Sequence, residues 1–305
     1  MRITAAVWRK LSVGALGTRD FDNTTESDHP TVQIIVSTHK EYRMPSDPMY
    51  VPMLCGAAVW KPRRDGEQEP AYVKDNVGVN ISSRNPNFCE LTGLYWAWKH
   101  MDADYIGLVH YRRYFRGSGR VRRSGIRGDL YDQILTYEEL EPMLGAVKVF
   151  VPSPRHYVIE TLYSHYEHSH YRDHLDRTRL IIQEQCPEYL PAYDEVMKER
   201  SAHMFNMMIM ERELLNDYCS WLFDILMALE RQVDTAEYSY FQGRYAGRVG
   251  ELIFNVWLRY QKMSGRIRPE EIRTLPFIYM EHTNWRKKAA RFLKAKFLHQ
   301  KYEAV

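Results

Sequence analysis

The side chains best suited to chemistry in this 305-residue chain stand in one stretch, residues 104–115, Asp-Tyr-Ile-Gly-Leu-Val-His-Tyr-Arg-Arg-Tyr-Phe. Tyr105 to Val109 carry no charge, which predicts a buried strand delivering His110, Arg112 and Arg113 to its C-terminal end. In an open α/β sheet that end is where ligands bind. A guanidinium fork matches phosphate oxygens in a bidentate way, so two adjacent arginines suit a phosphate-containing ligand. His110 either touches phosphate or a sugar hydroxyl, or braces the strand end as a buried histidine.

Other elements must bring partners to that end. Residues 32–37, Val-Gln-Ile-Ile-Val-Ser, read as a buried first strand running into Thr38, His39 and Lys40. Two such strand ends side by side would make one crevice. Its floor is expected from residues 75–90, with Asp75, Asn80, Ser82, Asn85 and Glu90 as candidate contacts. Pro86 near a first turn, with Glu90 on it, opens a helix whose apolar stripe is Leu91, Leu94, Tyr95 and Trp98. The dipole at its N-terminus favours a diphosphate.

Further along, a helix is expected over 138–144 and a strand over 147–152. Residues 158–182 have helical period and hold His165, His168, His170 and His174, with His170 and His174 four apart on one face. The pattern is not His-Glu-x-x-His, so these histidines read as structural or ligand-facing rather than metal-binding. A short helix is expected over 188–200. The Met-rich run 202–210 reads as a central strand with Asn206 in its interior, where a buried amide needs hydrogen-bond partners. Residues 211–231 form an amphipathic core helix. Arg244 opens a loop into another helix, with Glu251 in its first turn. Glu251 is then either a proton acceptor at a cleft or a helix-terminus residue paired with Arg244 or Arg248.

Hydrophobic residues make up 45% and charged residues 27%, as in an ordinary globular protein, and a net charge of +3 is too mild to imply nucleic acid. Charge is concentrated locally: residues 112–127 hold seven arginines and no acid. Interleaved Gly and Ser make that segment a mobile lid or funnel for an anion, or a solvated charge run. The four cysteines form no Cys-x-x-Cys, which excludes a zinc ribbon and suggests reduced thiols in a cytoplasmic protein. No apolar run is long enough to span a bilayer. The chain divides into a polar extension (1–31), a main domain (32–280) and a basic C-terminal helix (281–305). Residues 285–302 suit either an anionic membrane surface, the cytoplasmic face of the inner membrane, or packing on the domain.

Thr38-His-Lys, residues 75–85, Phe-Cys-Glu-Leu-Thr-Gly-Leu-Tyr-Trp-Ala-Trp-Lys (88–99), the 104–115 stretch, Asn-Met-Met-Ile-Met (206–210) and Tyr-Cys-Ser-Trp-Leu-Phe (218–223) together resemble one bacterial family. It is the family labelled domain of unknown function 4422, found in capsule, exopolysaccharide and O-antigen gene clusters and regarded as glycosyltransferases. The resemblance runs from residue 32 to about 280. It implies an α/β, GT-A-like, Rossmann-related domain with additional C-terminal helices, and a nucleotide-sugar donor, UDP-linked galactose or galactofuranose being the first to test. The acceptor would be a glycan or lipid-linked glycan, with no nucleic-acid partner. Where the family has Asp-Asn-x-Gly-Asp-Asn-Ile-Ser, this chain has Val79 in place of the second Asp.

On that reading Arg112, Arg113 and Lys40 stabilise the leaving diphosphate. Thr38, His39, Asp75, Asn80, Ser82, Asn85 and Glu90 complete the donor side, and Asn206, His170 and Arg244 face the acceptor. Glu251 is the base and His110 a second catalytic group. Metal-dependent transferases hold a divalent ion with Asp-x-Asp, and Asp102 and Asp104 have that spacing. They precede the strand, however, and belong at its opposite end from His110. No metal ligand set is assigned, and a Mn or Mg ion on the diphosphate stays an open alternative. The competing reading is a non-catalytic nucleic-acid or glycan-binding protein using residues 112–127, which predicts a steep salt dependence.

Overall fold

The computed structural model describes residues 29–62, 65–118 and 129–281, and everything below concerns these. The segment beyond Ser118 expected to be a basic loop, the helix expected over 285–302 and most of the expected N-terminal extension lie outside them. The strands of the main sheet are β1 Val32–Thr38, β2 Tyr50–Leu54, β3 Val73–Lys74, β4 Tyr105–His110, β5 Arg113–Phe115 and β6 Val149–Pro152. After a short ribbon of β7 Arg155–His156 and β8 Ser201–Ala202 come β9 Met208–Glu211, β10 Ile272–Leu275 and β11 Phe277–Tyr279. Helices of eight or more residues are α1 Leu91–His100, α2 Leu162–Ser169, α3 Asp173–Gln185, α4 Arg212–Glu230 and α5 Tyr245–Met263.

The sheet runs β3-β2-β1-β4-β9-β6-β10, with β5 and β11 paired off one end of β4. β1 is parallel to both β2 and β4, and β6 is parallel to β10. β9 alone on that path runs against its neighbours β4 and β6. β1 and β4 are buried along almost their whole length and apolar through their middles, because both of their faces are covered, as parallel interior strands require. Ser37 pairs with His110, so the ends of β1 and β4 stand side by side as the sequence suggests. Because β9 is reversed, it is its beginning, just after Phe205 and Asn206, that arrives at the same edge. Helix α1 packs on β1, β4 and α4, and α5 packs against α4 and α3.

Gly107 lets β9 and β1 close on β4. A Cβ there would stand 2.9 Å from the Met208 carbonyl oxygen and 3.1 Å from Ile34 Cγ1. Backbone cannot yield as a side-chain tip can, so Gly107→Ala should destabilise the domain by about 1–3 kcal/mol in denaturant unfolding.

Several expected elements are interrupted. The helix expected from Asn85 onward is two pieces, Asn85–Phe88 and α1, broken at Cys89 with φ of 54°. Glu90 therefore precedes α1 at its N-cap position, without a capping hydrogen bond, instead of riding a first turn. The 158–182 helix divides into α2 and α3, and His170 is the extended residue ending α2. His170 and His174 thus share no helix face. In 202–210 only the last three residues join β9. Phe205 and Asn206 turn through φ of 76° and 52°, so Asn206 belongs to a left-handed turn, not a strand interior. The helix expected to reach Arg200 stops at Val196. Helix α5 begins at Tyr245, which places Glu251 at the end of its second turn, beyond direct help from the N-terminal dipole.

Candidate active site

Two cavities of about 350 Å³ each open at the C-terminal ends of β1 and β4. The first is lined by Thr38, His39, Gly56, Trp60, Lys61, Asn85, Tyr111 and Tyr240, among others. The second lies beside it, against α2, α5 and the Phe205 turn, and its walls include Arg113, Arg155, Tyr157, His170, Phe241, Arg248 and Glu251. Both share Cys89, Glu90, His110, Arg112 and Arg244, so the strand end forms the partition between the two spaces.

The partition is tightly fixed. His110 Nε2 lies 2.7 Å from the Phe205 carbonyl oxygen, which can only accept, so that nitrogen carries the proton and Nδ1 is the ring's acceptor. Burial lowers the imidazole's pKa, against the opposing pull of the Glu90 carboxylate 3.8 Å away. A neutral, braced His110 is suited to accept a hydroxyl proton bond and not to neutralise phosphate. Glu90 Oε1 accepts from Asn206 Nδ2 at 2.7 Å, and the same amide reaches the Gly247 carbonyl at 3.1 Å. Asn206 therefore stands behind Glu90 and lines neither cavity. Its left-handed backbone, which asparagine tolerates better than most residues, is what aims the amide. Cys89 also takes a positive φ, 54° with ψ of −132°, and Arg244 Nε donates to its sulfur at 3.1 Å. Burial pushes the Cys89 thiol up to about 11, so it stays protonated at neutral pH and is no nucleophile.

Glu251 is the perturbed acid of the second cavity. Burial, reinforced by the like charge of Glu90, pushes its carboxyl up to about 7, although the Phe205 amide, Arg113 and Arg248 all favour the ionised form. A carboxylate that titrates near neutrality in a cleft has the affinity for protons that a general base needs.

Arg112 stands at the shared edge, half-exposed and 3.4 Å from Glu281. Arg113 lies over the Phe205 ring at 4.5 Å and enters only the second cavity. His170 faces that cavity and meets Gln242 at 3.1 Å; burial holds its imidazole well below the usual range.

Four candidate donor contacts lie elsewhere. Lys40 points its ammonium toward the Tyr42 and Tyr111 rings, 5.2 and 5.5 Å from their centres, and lines neither space. Asp75 is fully buried and accepts from the Gly56 and Ala57 amides at 2.8 and 3.0 Å and from Ser82 Oγ. Asn80 donates to the Gly78 carbonyl and accepts from the Ser82 amide, closing its own turn. These three residues shape the 56–85 wall from behind. Val79, in the same loop, is exposed. Asn85 does reach the first cavity, but its amide also holds the Cys89 carbonyl at 2.8 Å, securing the break before α1.

Asp104 accepts from the Thr31 amide at 2.7 Å, at the opposite end of β4 from His110. No group of three or more metal-ligating side chains occurs among the described residues. The histidine cluster is instead organised by Glu160, whose two carboxylate oxygens meet His165 and His168 at 2.9 and 2.8 Å, while His174 bridges Tyr166 and Tyr238.

Arg155, Tyr157 and Arg248 were not among the sequence candidates. Arg155 and Tyr157 carry no local signal, since one sits on a two-residue strand and the other just after it. Arg248 does: Arg244, Arg248 and Glu251 recur at spacings of four and three, which puts them along one helix face.

The apo structure of WbbM, a bifunctional glycosyltransferase, resembles this fold with a TM-score of 0.72 and 25% sequence identity over 83% of this chain and 46% of that one. The chain thus spans about half the length of that protein, and the likeness supports the GT-A-like, Rossmann-type architecture. No curated protein matches the sequence. No described helix is long and apolar enough to cross a membrane. The family profile described as domain of unknown function DUF4422 matches residues 33–262, and the chain belongs to that family.

Proposed function

We propose that the chain is a glycosyltransferase that moves a sugar from a nucleoside-diphosphate donor onto a glycan or lipid-linked acceptor in surface-polysaccharide synthesis, with UDP-linked galactose or galactofuranose as the first donor to test. The observation that carries this reading is the pair of adjoining cavities partitioned by Glu90, His110, Arg112 and Arg244, with Glu251 poised near neutrality in the second. The fold shared with a bifunctional glycosyltransferase supports it.

In this reading the nucleotide occupies the first cavity, where Trp60 and Tyr240 offer aromatic faces and Lys61 a cation. The diphosphate lies at the partition against Arg112 and Arg244, whose fixed charges offset the negative charge that develops as the sugar–phosphate bond breaks. The acceptor enters the second cavity, and Glu251 takes the proton from its attacking hydroxyl. His110 Nδ1 is free to orient a sugar hydroxyl. A direct displacement of this kind inverts the anomeric centre. A bound divalent ion would supply further charge neutralisation on the diphosphate, but the described residues offer no ligand cluster for it.

The deciding experiment is a panel of nucleotide sugars, with and without EDTA, scored by thermal shift and slow donor hydrolysis. Stabilisation by one nucleotide series with hydrolysis of its sugar supports the reading; indifference to every member rejects it. Replacing Arg112 by Ala should lower transfer about 100-fold, the usual scale for one donor to a developing oxyanion, with the melting temperature nearly unchanged. Undiminished turnover would remove Arg112 from the phosphate site.

A further inference from the structure

The second cavity holds more positive charge than its role as a sugar site requires. Arg113, Arg155 and Arg248 line it and do not line the first. None of the three forms an ion pair with a carboxylate among the described residues, although Arg113 and Arg248 feel the charge of Glu251; Arg248 Nη2 donates to the Phe241 carbonyl at 2.6 Å, while Arg113 Nε and Arg248 Nη1 are buried with no hydrogen-bond partner. Comparable arginines elsewhere are matched: Arg179 grips Asp194 with two nitrogens, and Arg259 bridges Glu195 and Glu199. A buried guanidinium nitrogen without a partner is costly, and Arg113 and Arg248 bring two of them to one space that the half-buried Arg155 also lines, an arrangement that favours an anion.

Each guanidinium is also supported in the same manner. Arg113 lies over Phe205 at 4.5 Å, Arg155 over Tyr157 at 4.8 Å and Arg248 over Phe241 at 4.1 Å, and all three rings belong to the cavity wall. An aromatic face orients and partly desolvates a guanidinium but leaves its charge unneutralised. Only Glu90 and Glu251 oppose these groups within the cavity. Glu90 is already engaged by Asn206, and Glu251, its carboxyl pushed up to about 7, is only partly ionised at neutral pH.

We propose that the second cavity is a recognition site for an acidic acceptor, in which Arg113, Arg155 and Arg248 bind an oxyanion, a phosphate or a carboxylate, carried by the sugar that receives the transferred group. This rests on the assignment of the donor to the first cavity. It gives the site a selectivity that the partition residues, which answer to the donor diphosphate, do not supply.

The test is calorimetric titration of the full chain, saturated with the nucleoside diphosphate that gives the largest thermal shift, using glucuronate, glucose 6-phosphate and glucose. At least one acidic sugar should bind tenfold or more tightly than glucose. Arg155→Ala and Arg155→Glu should abolish that preference, and Arg155→Lys should keep part of it. Stronger binding of the phosphate identifies a phosphorylated acceptor, and stronger binding of glucuronate a uronic acid. Equal affinity for glucose, displacement of the acids by the nucleotide, or an undiminished preference in Arg155→Glu would overturn the proposal. Nucleotide-sugar hydrolysis in the same preparation separates that failure from failure of the glycosyltransferase reading, which would remove hydrolysis as well.

Discussion

Replacing Glu251 by Gln should cut sugar transfer by about 100- to 10,000-fold, the contribution typical of a positioned general base. The amide keeps the size of the carboxylate and can still accept the Phe205 N–H, so the loss should fall on turnover while donor affinity stays close to that of the parent chain. The pH profile carries the sharper test. A base must be ionised to act, so kcat/KM in the parent should rise with pH through a midpoint near 7, where burial and Glu90 have placed the carboxyl. The residual activity of Glu251→Gln should lack that rise.

Stability should move the other way. The carboxyl titrates near 7 in the fold against 4.5 for an ordinary glutamate, and at about 1.4 kcal/mol per pH unit the ionised folded state is disfavoured by about 3 kcal/mol. The penalty is absent below the unfolded value, grows as pH rises, and is complete above the folded one. Glu251→Gln should therefore match the parent near pH 4 and exceed it at pH 8, read by chemical denaturation at both. A variant that is less stable at pH 8 would show the carboxylate to be a structural ion and not a strained base.

The strand ends were legible because their message is local. An uncharged run delivering His110, Arg112 and Arg113 beside another delivering Thr38 and His39 needs only the pairing of β1 with β4 to become a crevice, and Ser37 does pair with His110. The position of Asp104 followed from the same chain direction. The breaks were hidden because no glycine or proline marks them. Cys89, Phe205 and Asn206 take positive φ as L residues, held by tertiary contacts: Arg244 on the Cys89 sulfur, Glu90 and the Gly247 carbonyl on the Asn206 amide. Sequence periodicity cannot register such contacts, so the helix from Asn85 and the strand over 202–210 read as longer than they are. The cavity arginines were hidden for a related reason. Arg155 becomes notable only once Tyr157 lies beneath it and no acid lies beside it.

Asp75 shows how a residue can belong to a signature segment and still act through the wall it supports. Its carboxylate is fully buried and accepts from the Gly56 and Ala57 amides and the Ser82 hydroxyl. Gly56 is in a left-handed turn, φ of 79°, and a Cβ there would meet the Asn85 side chain at 2.5 Å, so this turn and the start of the 85–88 helix interlock with no space to spare. Asp75→Ala leaves two buried amides and a hydroxyl unpartnered at once, and with charge-assisted bonds at stake the expected loss is about 3–5 kcal/mol. In a domain of this size that corresponds to a fall in melting temperature of about 10 °C. Asp75→Asn retains acceptor capacity for part of the set and should lose about half as much. If Asp75 instead contacted the donor, the alanine variant would melt like the parent and lose only the thermal shift produced by nucleotide sugar. The wall reading predicts the reverse order: stability falls first, and donor affinity weakens only as far as the loosened Gly56 turn lets the first cavity change shape.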